Sequence, residues 1–214
     1  VPVDLADLVA PSRTAVLTME IQRGVVGDLT AFPQLAEAAA HAGVVPNTAR
    51  VLGAARSVGA HVVHCTAEFR ADRAGSTVNC QLIAAMVRNP DHLLVGTPPT
   101  ELIHELGPEP SDLVCARLHG VSPFSGTSLD TWLRSLGVQT VVATGVSVNL
   151  GVLGLAIEAC NLGYQVEHHL FPDMPSTRYA EIAPKVREIC ERYDLPYNSG
   201  PFHQQLGMVQ RTIL

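Results

Sequence analysis

A chain of 214 residues holds one well-cored domain, and 47% hydrophobic residues with only 5% aromatics imply a core of Val, Leu, Ile and Ala. A formal net charge of −6 without a basic run excludes nucleic acid as an expected partner. Cys65, Cys80, Cys115, Cys160 and Cys190 form an odd set without C-x-x-C spacing; they read as reduced core thiols of a cytoplasmic protein.

Residues 1–12, "VPVDLADLVAPS", are acidic, lack the apolar core of a secretory signal and read as an N-terminal extension. "TAVLTMEI" (14–21) is a buried-strand run. "VVPNTARVLGAARSVG" (44–59) has helical spacing and a Gly stop, and "AHVVHCTAEF" (60–69) is the second strand. A polar loop (70–79) leads to a short helix at 81–88. "SDLVCARL" (111–118) is the third strand. "TSLDTWLRSLG" (127–137) is a capped amphipathic helix, and "VQTVVATGV" (138–146) is the fourth strand. "NLGVLGLAIEACNLG" (149–163) reads as a helix with Asn149 as N-cap. "YQVEHHLF" (164–171) is a fifth strand candidate. Residues 176–194 form a helix capped by Ser176, with Ile182, Val186, Ile189 and Cys190 on one face and Pro184 marking a kink or the true start. The last fifteen or so residues make a poor strand and are expected to pack loosely.

The run 140–160 is long enough to span a bilayer, but Asn149, Glu158 and its glycines punctuate it as strand then helix, so no membrane partner is expected. Alternating strands and helices predict an α/β fold, a three-layer doubly wound, mostly parallel sheet of five or six strands. Ligands of such folds sit beyond the carboxyl ends of strands, here after Met19, Arg117 and Gly145. Glu20 there is a carboxylate following a buried run, Arg117 leaves the third strand, and the turn "TGVSVNLGVL" (144–153) offers a helix N-terminus. Acid, guanidinium and amide nest together suit a small substrate bearing a carboxylate or polarised carbonyl. The alternative is a structural Glu20–Arg117 salt bridge with Asn149 serving only as a cap. His61 and His64, three apart on a strand, face opposite ways and form no chelating pair, so neither metal nor cofactor is expected.

"TAVLTMEIQRG" and "HGVSPFSGTSLDTWLRSLGVQTVVATGVSVNLGVLGLAIEACNLGYQV" make residues 13–165 resemble the isochorismatase-like (cysteine hydrolase) superfamily. The resemblance implies sheet order 3-2-1-4-5-6, a hydrolase, and self-association into a homo-oligomer. It also implies a site of Glu20 and Arg117, with Gln22, Val146, Ser147, Asn149 and Gly151 around the substrate. Family members use an Asp, a Lys and usually a Cys; Glu20, Arg117 and Gly151 hold those places here. Without a thiol at 151 covalent catalysis is unavailable, and Ser147, before the helix, is expected to point elsewhere. The branch that hydrolyses isochorismate resembles this chain in having Gly at the Cys place. Its vinyl ether needs an acid and no nucleophile, a role for Glu20 on a small anionic substrate. Arg117 cannot shuttle a proton as Lys does, but clamps a carboxylate. The rival is a catalytically inactive binding or oligomerisation member.

Residues 161–214, with Q-x-E-H-H-L-F-P at 165–172, resemble instead the segment after the last histidine box of membrane fatty-acid desaturases. Upstream histidine boxes are lacking, so His168 and His169 are not expected to bind metal, and a desaturase fragment is the lesser reading. Residues 13–214 are expected to form one domain that this tail completes.

Overall fold

The computed structural model describes residues 5–76, 78, 81–118, 121–161 and 179–194. The chain divides into two compact units, one of residues 9–158 and one of residues 1–8 with 159–214. In the larger unit the strands are β1 (Thr14–Met19), β2 (His61–Ala67), β3 (Leu113–Arg117) and β4 (Thr140–Gly145). They pair in parallel in the order β3-β2-β1-β4, with Met19 opposite both Cys65 and Gly145. This is the α/β architecture expected, over four strands; the fifth strand candidate lies outside the described residues.

All six β1 residues are buried, as a central parallel strand requires. Its side chains alternate between two cores. Ala15, Leu17 and Met19 join Val63, Cys65 and Cys115 beneath Leu129 and Leu133 of α4 (Leu129–Ser135) and Leu155 of α5 (Leu153–Asn161). Val16 and Val62 meet Leu52 and Ala55 of α2 (Val44–Ser57) on the other side. Helices on both faces make the three layers. The α4 start is held by the Thr127 hydroxyl, which accepts from the Leu129 N–H at 3.2 Å.

Two helices differ from expectation. α1 (Pro33–His41) was not foreseen; Pro at its first turn and an Ala-rich body favour it. Asn149 is no N-cap. Residues Val148–Val152 form a π-helical turn with Ser147 at its start, which leaves Asn149 exposed within the turn. α3 (Gln81–Arg88) lies where the short helix was expected and carries no fully buried residue. In the smaller unit, α6 (Tyr179–Arg192) contains Pro184 and buries Ala183, Val186 and Cys190, while Ile189 stands exposed rather than sharing the buried face.

Candidate active site

The carboxyl ends of β1 and β2 are locked together by one side chain. The Gln22 amide donates to the carbonyls of Ala67 (2.9 Å) and Thr100 (3.0 Å), and its oxygen accepts from the Ala67 N–H at 2.8 Å. Gln22 is fully buried and spends its carbonyl and amide groups on backbone, so its place is architectural. Glu20, two residues earlier, takes a left-handed backbone at φ 53° while its N–H still donates to Cys65 O at 2.9 Å. That turn is uncommon outside glycine and swings the carboxylate off the strand. It accepts from the Arg117 guanidinium in an ion pair whose side chains are 13% and 5% exposed.

Beyond the strand ends lies a cavity of about 420 Å3. Glu20, Glu68, Arg117, Ser76 and Ser147 are its polar wall; Phe69, Leu82, Ile83, Met86, Leu93 and Leu150 supply much of the apolar one. Gly151 also borders it, and a Cβ placed there would lie 3.7 Å from Glu20 Oε1 and 3.3 Å from Met19 Cε. Of the residues expected at the site, Glu20, Arg117, Ser147 and Gly151 therefore share one cavity. Ser147 borders it, and among the described lining residues no histidine or lysine stands to activate a hydroxyl. Val146 is buried, its N–H donating to Met19 O at 3.0 Å, and neither it nor Asn149 reaches the wall.

Glu68 was missed by the sequence reading. It follows β2 as Glu20 follows β1, and burial pushes its carboxyl above the usual range. Cys65 and Cys115 face each other across the β2–β3 register, and burial pushes both thiols up.

A second polar cluster lies on the opposite face of β1. The Thr18 hydroxyl meets His64 Nδ1 at 2.9 Å, His64 Nε2 meets Asp112 at 3.2 Å, and Arg56 donates to both Asp112 oxygens at 3.1 and 2.6 Å. With Asp112 ionised, Nε2 carries the proton and Nδ1 accepts from Thr18, a fully satisfied neutral imidazole. Burial is the largest influence on His64 and lowers its pKa, outweighing the pull of Asp112; burial likewise lowers His92. The unfolded chain thus takes up protons first, so the stability these histidines carry is complete above about pH 6.5 and drains as pH falls below it. Urea melts are expected to show stability dropping from pH 7.5 to 5.5 by up to about 1.4 kcal/mol per unit for each histidine. A flat profile would refute the neutral assignment.

A family model described as an isochorismatase domain matches residues 14–169. The chain belongs to the isochorismatase family. Among solved structures it is similar to an isochorismatase family protein from Desulfovibrio vulgaris, at 28% identity and TM-score 0.61 over 70% of this chain and 75% of that one. It is also similar to N-carbamoylsarcosine amidase from Thermoplasma acidophilum, at 26% identity and TM-score 0.52 over 69% and 75%. A cysteine hydrolase from Pseudomonas syringae, at 24% identity and TM-score 0.59 over 73% and 70%, shares the fold. A shorter likeness links the chain to desaturases. Over 53 residues it is 57% identical to the NADPH-dependent stearoyl-CoA 9-desaturase of Mycobacterium tuberculosis, 25% of this chain and 12% of that protein. The acyl-lipid (9-3)-desaturase of Borago officinalis matches at 44% over 52 residues, again 12% of its length. Among the described residues no helix is long and apolar enough to cross a membrane, and no three His, Cys, Asp or Glu side chains group to hold a metal.

Proposed function

We propose that this member of the isochorismatase family is a small-molecule hydrolase that works by proton transfer at Glu20, with no covalent intermediate. The supporting observation is the meeting of Gly151 with the Glu20–Arg117 pair on one cavity wall. The position that would carry a nucleophile has no side chain and faces a carboxyl, so water is the nucleophile and Glu20 moves protons. Arg117 stays charged and holds a carboxylate or polarised oxygen of a small anionic substrate.

Purified protein assayed with isochorismate and a panel of small amides tests this. Vinyl-ether hydrolysis is expected, with Glu20→Gln losing about 100-fold or more of kcat while circular dichroism shows the fold retained. Amide cleavage would refute the nucleophile argument. Unchanged turnover in Glu20→Gln would reduce the pair to a structural salt bridge, and silence across the panel would favour a binding member of the family.

A further inference from the structure

We propose that Glu68 is the proton donor of this cavity and that Glu20 is its proton acceptor, a division of labour that rests on the hydrolytic reading above. The backbone fixes Glu68 at the mouth of the sheet: its N–H donates to Arg117 O at 3.0 Å, which ties the end of β2 to the end of β3. Glu68 borders the same cavity as Glu20 and Arg117. The two carboxyls live in different surroundings. Glu20 accepts from the Arg117 guanidinium, whereas Glu68 makes no side-chain hydrogen bond or ion pair among the described residues.

Two described titratable groups, Arg73 and His92, pack against Phe69, the next residue in the chain. Arg73 stacks on the adjacent Phe69 ring at 4.8 Å, and its guanidinium donates to the carbonyls of Asn89, Pro90 and His92. His92 packs on Phe69 with ring centroids 6.2 Å apart. Among the described residues no cation pairs with Glu68, and burial pushes its carboxyl up. Two carboxyls in unlike surroundings, one bonded to a guanidinium and one not, are how a single site divides acid and base.

For a vinyl ether the step balances as follows. Glu68 gives its proton to the terminal carbon of the double bond, whose π electrons form the new C–H bond and leave an oxocarbenium ion. Water adds its oxygen to that cation and loses a proton to Glu20. The hemiketal then collapses: the bond to the leaving oxygen breaks with its electron pair, that oxygen takes the proton from Glu20, and the hydroxyl proton returns to Glu68.

Isochorismate turnover by the full chain, followed across pH in the wild type, Glu68→Gln, Glu68→Asp and Glu20→Gln, tests the assignment. A donor that must be protonated produces a loss of rate at alkaline pH. In Glu68→Gln that limb is expected to vanish, with kcat reduced about 100-fold or more and KM within about threefold. Glu68→Asp keeps an acid and should retain the limb at lower kcat, which separates chemistry from loss of fold. In Glu20→Gln the acidic limb should go instead. Wild-type kcat and both limbs surviving in Glu68→Gln would overturn Glu68 as donor and leave the hydrolytic reading standing. A wild type without turnover would overturn both.

Discussion

Gly145→Ala is expected to destabilise the protein by at least about 3 kcal/mol, lowering Tm by roughly 6–12 °C for a chain of this size. Gly145 ends β4 at φ 111°, a conformation that side chains rarely adopt. A Cβ there would stand 2.6 Å from Met19 N and closer still to Met19 O, both backbone atoms of the neighbouring central strand. Neither atom can yield, because Met19 O also accepts the Val146 N–H at 3.0 Å. Gly53→Ala is the control. Gly53 lies within α2, and nothing approaches within 4 Å of an added Cβ. There the change should stabilise by about 0.5–1 kcal/mol through helix propensity. Chemical denaturation of the two variants should move in opposite directions. A Gly145→Ala protein as stable as the wild type would show that the strand end is not so closely packed.

Asp112→Ala is the second large effect, expected to cost about 3–5 kcal/mol. Its carboxylate, 3% exposed, accepts from Arg56, from His64 and from the Glu109 N–H at 2.8 Å. Burial opposes the charge of Asp112, yet Arg56, the Glu109 N–H and His64 together hold its carboxyl below the usual range. Truncation leaves a guanidinium only 15% exposed with Glu109, 3.9 Å away, as its remaining carboxylate, and takes the acceptor from a fully buried imidazole N–H. Asp112→Asn retains an acceptor and should cost less. Because the folded pKa of Asp112 is depressed, its stabilising effect is present above about pH 3.8 and lost below it. Acid unfolding of the wild type should therefore steepen again in that range. Equal stability of the Ala and Asn variants at pH 7 would mean the network contributes by packing alone.

The strands were legible because parallel strands buried on both faces leave long runs of Val, Ile, Leu and Ala, and "TAVLTM" and "HVVHCTA" are such runs. Glu20 and Arg117 were legible for a related reason, as charges placed where those runs stop. The same criterion applied to β2 would have found Glu68, one residue past Ala67. Asn149 misled because residue type suggests a cap, whereas the widened π turn moves the helix start to Ser147. The same turn brings Ser147 to the cavity wall. No local pattern announces α1, a short Ala-rich stretch with one buried residue, Ala39. The use of Gln22 depends on carbonyls 45 and 78 residues away, which no neighbouring sequence records.

The cavity has two kinds of wall. On the sheet side, Gly145 interlocks with Met19 and Gln22 staples the strand ends, so Glu20 and Gly151 are set in an unyielding template. On the α3 side, Leu82, Ile83 and Met86 come from a helix without a fully buried residue, a wall whose shape is cheap to adjust. Ligands differing at the reacting end should accordingly be discriminated sharply, whereas tails of varied length laid against α3 should be tolerated. The selectivity expected of the proposed hydrolase is thus graded across the pocket: strict on the sheet side, permissive on the α3 side.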